Sequence, residues 1–389
     1  MIVEKSKEKK RAIAFIVNTF IPETYGGAEQ QTLRLAVSLK DHNIDSFILA
    51  PKIKKNTSLE SFEKNILVKR FKLNNLPNLG GKNIFSFVAW SLKLIYWLIK
   101  NSNKFDIVHI IHGRLHSVPA IFAAKILKKP VLVKLGRGGK EYFDINSVRK
   151  KKLIGKFFSK YILKNTIGWI ANSKMIEADL KDYNIKDELI HKIYNGIDID
   201  KIRINKFNIN KNFLVIGRLD EEKNCDQIIR VFSKLPKKLN VKLIFIGDGP
   251  LERSLLKIVK QLNQSHRIFF KGAVNNVREH LIASDFYISA SQSEGMSNSL
   301  LEAMSLGIPA ITSNVSGVNE IVFDSQNGFI FEPNDEKIFY EKIIKAINCN
   351  EEKYIKISRL ASEHILKNFS INLIAKKHIK LYNSLIKSN

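Results

Sequence analysis

Apolar residues recur along the 389-residue chain in two forms, short uninterrupted runs and longer stretches with apolar positions three and four apart. The short runs over 12–18, 46–50, 106–111 and 131–135 have the length and composition of buried strands, whereas 28–40, 85–100 and 118–127 have helical spacing. A second series starts at Phe213. There, strands over 213–216, 242–246, 268–270, 286–289 and 310–312 alternate with helices over 226–235, 251–261, 277–283 and 299–306. Strands alternating with helices predict parallel sheets covered by helices, with ligands bound beyond the carboxyl ends of the strands.

Two such series predict an α/β chain of two Rossmann-like domains facing each other across a central cleft. The joint falls near Ile193-Tyr194-Asn195-Gly196-Ile197-Asp198, ahead of a polar stretch over 200–212 with little periodic order. Length and a hydrophobic content of 44% agree with about two domains rather than one. The two cysteines, Cys225 and Cys349, make neither a disulfide framework nor a ligand cluster, and the simplest setting is a reducing compartment.

The opening run of Lys and Glu over 1–11 has no small-residue cleavage pattern, so no signal peptide is expected. No stretch of about 18 apolar residues is present; the nearest, 84–99, is broken by Lys93. The formal net charge is +27, and residues 1–200 hold 36 Lys and Arg against 18 Asp and Glu. That excess fits an acidic partner, either nucleic acid or an anionic membrane surface, and equally a general bias toward Lys, Ile and Asn.

Candidate chemistry gathers at the ends of the apolar runs in the second half. Gly217 and Arg218 follow one strand, with Lys223 five residues on; a guanidinium fork and a point charge suit phosphate oxygens. Gly247-Asp248-Gly249-Pro250 follows the next strand, its glycines permitting close backbone approach and Pro250 suiting a first helical position. In Ser293-Glu294-Gly295-Met296-Ser297-Asn298-Ser299-Leu300-Leu301-Glu302, the Gly and Ser-Asn-Ser cluster predict a loop that ends in a helix. The amides of Met296 to Ser299 then form an anion-binding helix start, with Glu294 in the loop and Glu302 about a turn inside.

These motifs resemble the donor site of the retaining glycosyltransferases with two Rossmann-like domains, the GT-B type, and specifically family 4, also called glycosyltransferase group 1, whose mark is Glu, seven residues, Glu. The resemblance implies a first domain over 1–197 on the acceptor side and a second over 198–371 on the nucleotide-sugar side. It also implies a C-terminal helix over 372–389 packed back on the first domain. Arg218 and Lys223 would stabilise the departing diphosphate, Glu294 would touch the donor sugar, and Glu302 would bind the ribose hydroxyls. Gly217, Gly247, Gly249, Lys271, Gly295, Met296, Ser297, Asn298 and Ser299 would line the donor, with Ser297 standing where many relatives have Gly. Gly26 and Gly27, in Tyr25-Gly26-Gly27-Ala28-Glu29, would approach the donor phosphates and acceptor from the opposite wall.

The histidine motif departs from the family. Relatives carry Asp-x-x-His-x-His, whereas this chain reads Asp106-Ile107-Val108-His109-Ile110-Ile111-His112, one residue longer. His112 is the candidate beside the reacting sugar, with His116 in reserve and His109 on the opposite side of the strand. The glycine- and cation-rich segment over 133–140 fits either an acceptor loop or a phosphate contact, and Asp198-Ile199-Asp200 at the joint reads as a turn rather than a metal site.

The expected activity is transfer of a hexose, with retention and without a metal or other cofactor, from a UDP- or GDP-linked sugar to a glycan or lipid-linked acceptor in cell-surface polysaccharide synthesis. The expected place is the cytoplasm or the inner membrane face, with no nucleic-acid partner. The aromatic stretch over 85–100 fits a core helix or a surface that docks on anionic lipid. Two alternatives stay open: another enzyme of this architecture, such as an epimerase or phosphorylase, and a basic nonenzymatic binding protein.

Overall fold

The computed structural model describes residues 11–72, 84–139 and 143–387. It divides into two compact units, Met1–Gly196 with Ile371–Asn389, and Ile197–Ser370.

In the first unit, strand β1 (Ala12–Ile16) leads to helix α1 (Gly27–Asp41), and β2 (Asp45–Lys52) to the hairpin of β3 (Glu60–Glu63) and β4 (Ile66–Lys72). Helix α2 (Ile84–Lys100), β5 (Ile107–Ile111), α3 (Ser117–Ile126) and β6 (Val131–Lys134) follow, then α4 (Asp144–Arg149), α5 (Lys152–Asn165), β7 (Gly168–Ala171), α6 (Lys174–Asp182) and β8 (Ile190–Lys192). The strands form one sheet in the order β3-β4-β2-β1-β5-β6-β7-β8, parallel throughout except for β3. Strands β1, β5, β6 and β7 are buried along their whole length. A parallel sheet covered on both faces requires such unbroken apolar runs, and β1, β5 and β6 are read in the sequence as runs rather than as alternation, whereas the four-residue β7 is not.

One face of that sheet is covered by α1 and by the last helix of the chain, α13 (Ile371–Lys387). Ile374, Ala375, Leu381 and Tyr382 of this helix join a core with Ile13, Phe15, Leu132 and Ile170. Gln31 on α1 brackets Gly196, its side chain donating to the Gly196 carbonyl at 2.8 Å and accepting from its N–H at 2.9 Å, which fixes the chain where it leaves the unit.

The second unit contains β9 (Lys211–Ile216), α7 (Cys225–Ser233), β10 (Val241–Ile246), α8 (Glu252–Gln261), β11 (Ile268–Phe270), α9 (Val277–Ile282) and β12 (Phe286–Ser289). It continues with α10 (Asn298–Ser305), β13 (Ala310–Ser313), β14 (Gly328–Phe331), α11 (Glu336–Ile347) and α12 (Glu351–Phe369). Its six strands, all parallel, run in the order β11-β10-β9-β12-β13-β14. Side-chain caps mark the later helix starts, Asp335 accepting from the Ile338 N–H at 2.9 Å and Asn350 from the Lys353 N–H at 3.0 Å.

Strand order reverses direction at the β9/β12 boundary of the second unit and at β1/β5 of the first. These are the positions where diverging loops leave room for a ligand beyond the carboxyl ends of a parallel sheet. Pro250 departs from the expected first helical position, since α8 begins at Glu252 with Leu251 at its N-cap.

Candidate active site

The second unit builds its site from the turns that leave β9, β10 and β12. Backbone hydrogen bonds lace the first two together: Gly217 N–H donates to the Ile246 carbonyl at 3.0 Å, Leu219 N–H to that of Asp248 at 2.8 Å, and Leu251 N–H to that of Leu219 at 3.0 Å. Gly247 (φ +126°) leaves no room for a side chain, because a Cβ there would sit 2.0 Å from the Gly217 carbonyl oxygen; one on Gly249 would sit 2.3 Å from that of Leu219. The two glycines therefore let the β10 turn lie flat on the β9 turn, which sets where Arg218 and Lys223 emerge.

Lys223 ends a short turn capped by Asp220, and its ammonium pairs with the Glu294 carboxylate, which also accepts from the Ser291 hydroxyl at 3.1 Å. The loop bearing Glu294 is tied to the β9 turn a second time, Gln292 N–H donating to the Glu222 carbonyl at 2.9 Å. Burial works against the Lys223 charge, yet Glu294 foremost, then Tyr287 and Glu222, outweigh it and hold the ammonium above its ordinary range. Lys223 and Glu294 are mostly enclosed, whereas the Arg218 side chain is 72% exposed, with Asp220 3.8 Å away.

Gly217, Arg218, Lys223 and Tyr287 line one recess at the ends of β9 and β12. Tyr287, fully buried, shares a hydrogen bond of 2.8 Å with the Ser299 hydroxyl, which meets that of Ser297 at 3.2 Å. Ser297 is the N-cap of α10, accepting from the Leu300 N–H at 3.4 Å. The helix start thus lies one hydroxyl away from the residue that floors the recess. Gly295 and Met296 are buried in the loop, Asn298 is partly exposed, and Lys271 is exposed beyond β11. Glu302 is half-buried one turn into α10 and is not part of the recess lining.

In the first unit, Gly26 is the N-cap of α1 and Gly27 its first residue, both exposed after β1. Of the three histidines, His109 is fully buried and shares a hydrogen bond of 2.8 Å with the Tyr382 hydroxyl. His116 is fully buried, its Nε2 2.9 Å from the Ile111 carbonyl. His112 leaves β5 in a left-handed conformation (φ +68°) and stays partly exposed, with Nδ1 3.0 Å from Asp144. His112 is the first residue past β5 and lies in the turn that leaves it.

Among the described residues, no group of three or more His, Cys, Asp or Glu is placed to hold a metal ion. Two family profiles match the chain, "Glycosyltransferase Family 4" over residues 25–201 and "Glycosyl transferases group 1" over residues 197–363. An uncharacterised glycosyltransferase of Methanocaldococcus jannaschii is 31% identical over 94% of this chain and 97% of its own length. The chain belongs to glycosyltransferase family 4.

Also similar is a UDP-Gal:alpha-D-GlcNAc-diphosphoundecaprenol alpha-1,3-galactosyltransferase of Escherichia coli, 28% identical over 72% of this chain and 76% of that one. Among solved structures, Anabaena HepE in complex with UDP and glucose superposes with a TM-score of 0.77 at 19% identity, over 96% of this chain and 100% of that one. The architecture of this glycosyltransferase is accordingly the GT-B one, two Rossmann-like domains.

Sequence reasoning missed three residues of these sites. Tyr287 was hidden in an apolar run, where only its hydroxyl distinguished it. Asp144 and Arg114 carry no motif; Arg114 Nε donates to Asp144 at 3.1 Å, and the carboxylate lies 32 positions from the histidine it meets. Only the adjacency of β5 and β6 brings them together.

Proposed function

We propose that this glycosyltransferase moves a hexose from a UDP-linked donor to a glycan or lipid-linked acceptor, with retention and without a metal, in the synthesis of a cell-surface polysaccharide. The observation that carries the reading is the Lys223–Glu294 pair beside Arg218 at the β9/β12 switch point. The bond between the anomeric carbon and the diphosphate oxygen breaks while one to the acceptor hydroxyl oxygen forms on the same face, and the hydroxyl proton passes to the departing phosphate. Negative charge grows on the diphosphate during that step. Lys223, Arg218 and the amides at the start of α10 are in place beforehand, so their stabilisation costs little reorganisation. Glu294 holds the Lys223 ammonium in position and touches the donor sugar, and Glu302 takes the ribose hydroxyls. A UDP donor is favoured by the UDP named for both the galactosyltransferase and HepE.

The acceptor reading includes contact with the membrane. Helix α2 buries Trp90, Leu94 and Leu98 but exposes Phe85, Val88, Leu92, Tyr96 and Ile99 as a second apolar stripe. It packs on α3, and α3 on α5, where Ile126 and Phe157 are also exposed. None of these three helices contains an Asp or Glu, and exposed Lys93, Lys100, Lys125, Lys156 and Lys160 intersperse the patch. Apolar side chains flanked only by cations suit the headgroup region of an anionic bilayer. No helix among the described residues is long and apolar enough to cross one.

A thermal-shift series with UDP, GDP and ADP and their sugar conjugates tests the donor, since a ligand that binds only the folded state raises its midpoint. UDP and one UDP-sugar are expected to stabilise, and Glu302→Ala to abolish the shift. Stabilisation by no nucleotide, alongside salt-sensitive binding to nucleic acid, would overturn the proposal.

A further inference from the structure

We propose that Asp144 is a positioning residue for His112, fixing the imidazole so that Nε2 is offered as an acceptor to a sugar hydroxyl. The inference rests on the reading of His112 as the group beside the reacting sugar.

Three constraints converge on this one ring. Asp144, wholly buried at the first position of α4, meets His112 Nδ1 at 3.0 Å through one oxygen, which also accepts the Gly136 N–H at 3.0 Å. Its other oxygen accepts from Arg114 Nε at 3.1 Å. Gly136, at the end of β6, forms the surface under the ring: a Cβ at that position would lie 2.2 Å from the imidazole Cε1, so no other residue fits there without moving the histidine. The backbone is held in its left-handed turn by His112 N–H donating to the Lys134 carbonyl at 2.8 Å. Arg114 N–H (3.0 Å) and the Ser117 hydroxyl (3.1 Å) both donate to the His112 carbonyl.

The donor and acceptor inventory then fixes the tautomer. Burial would push the Asp144 carboxyl up, but His112 foremost, then Arg114 and the Gly136 amide, outweigh it and hold the group well below the usual carboxylate range. An ionised carboxylate can only accept, so Nδ1 carries a proton, and of the two neutral tautomers the pairing selects the one that leaves Nε2 as the lone pair. Arg114 compensates the buried carboxylate from its other oxygen. A locked acceptor in a partly exposed ring spares the ordering that a mobile histidine would require when substrate binds.

The experiment combines kinetics with a direct view of the ring. Asp144→Asn keeps the shape but can turn an amide N–H toward Nδ1 and reverse the tautomer; kcat is expected to fall about 10–100-fold, the scale seen for other orienting carboxylates, with little change in donor KM. The double variant D144N/H112A should be no slower than H112A alone, because the carboxylate acts through the ring. Long-range proton–nitrogen correlation on histidine-labelled wild-type protein, with His112 assigned by its loss in H112A, should show Nδ1 protonated and Nε2 bare. This measurement needs no Asp144 variant to fold. A bare Nδ1 in the wild type, or losses that multiply in the double variant, overturns the inference. Full kcat in D144N with kcat lost in H112A overturns it too while leaving the reading of His112 intact; full kcat in H112A overturns that reading itself.

Discussion

The Lys223 ammonium and the Glu294 carboxylate are paired across the boundary between β9 and β12, on loops that approach each other only because those strands are neighbours. The pair separates stability from catalysis in a measurable way. Lys223→Ala leaves a mostly enclosed carboxylate without its cation and should cost about 1–3 kcal/mol, less than a fully buried pair because both groups keep some solvent. Arg218→Ala, at an exposed side chain, should cost under about 0.5 kcal/mol. Both should lower kcat by about 10²–10³, the scale for one preplaced charge at a site of developing negative charge. Thermal midpoints and turnover of a UDP-sugar measure the two quantities separately; undiminished kcat in R218A would remove the guanidinium from the mechanism.

Gly247 and Gly272 make a matched comparison. Both have positive φ, but a Cβ at 247 would meet the Gly217 carbonyl oxygen at 2.0 Å, whereas one at 272 would meet nothing within 4 Å. Gly272→Ala therefore carries only conformational strain, about 1–2 kcal/mol. Gly247→Ala must in addition push the β9 turn aside, for a total of about 3 kcal/mol or more and a midpoint lower by roughly 6–12 °C. Equal midpoints for the two variants would show that the turns are not packed as described.

The sheets were legible because parallel strands buried on both faces leave unbroken apolar runs, as in β5 with its Ile-Val-His-Ile-Ile. Strand β4 was missed because Lys69 and Arg70 interrupt it, Arg70 being buried through hydrogen bonds to the Ile21 carbonyl and Ser61 that no local pattern reveals. Helix α5 was missed because lysines break its apolar stripe into short fragments, and α11 and α12 because lysines and glutamates do the same. Most candidate donor residues of the second unit lie in short segments at strand ends, 217–223, 247–249 and 294–302, where the local motif could pick them out. The His112–Asp144–Arg114 cluster is assembled from the turn after β5 and the start of α4, and nothing in either segment names the other.

The exposed stripe of α2 should make the protein bind anionic vesicles. A partly inserted apolar side chain contributes on the order of 1 kcal/mol, and each nearby lysine about as much at low salt. Wild-type protein should co-sediment with vesicles rich in anionic lipid and detach as salt is raised. Replacing Phe85, Leu92 and Tyr96 together by Ser should weaken binding about 10²-fold with no loss of thermal midpoint, since all three are exposed. Wild-type protein left in the supernatant at low salt would remove the membrane from the proposal.

The left-handed turn at His112 predicts an inverted order of stability. In His112→Ala and His112→Gly the imidazole contacts are lost equally, but alanine keeps a Cβ at φ +68° and glycine does not. H112G should therefore be the more stable of the two by about 1 kcal/mol, against the usual rank at an ordinary position. An H112A midpoint equal to or above that of H112G would mean the turn relaxes once the ring is gone.

The first unit should lose stability as the pH falls from 7 to 5.5. His109, His116 and His378 are fully buried; burial first, with neighbouring cations including Lys134 near His109 and His378, holds His109 well below 6.5 and the other two at about 3. Their folded-state values lie below the unfolded one, so the unfolded chain takes up protons that the folded chain refuses, and stability present above pH 6.5 drains away below it. At pH 5.5 each histidine contributes a loss of about 1.2 kcal/mol relative to pH 7, or about 3–4 kcal/mol for the three. Asp144 runs the other way, its depressed value stabilising the fold above its ordinary 3.8, and that contribution is still whole at pH 5.5. Urea midpoints at pH 7, 6 and 5.5 measure the slope, and His378→Phe, which removes one titrating ring from the α13 contact, should flatten it by about a third. A midpoint independent of pH over this window would mean that the buried histidines are protonated in the folded state.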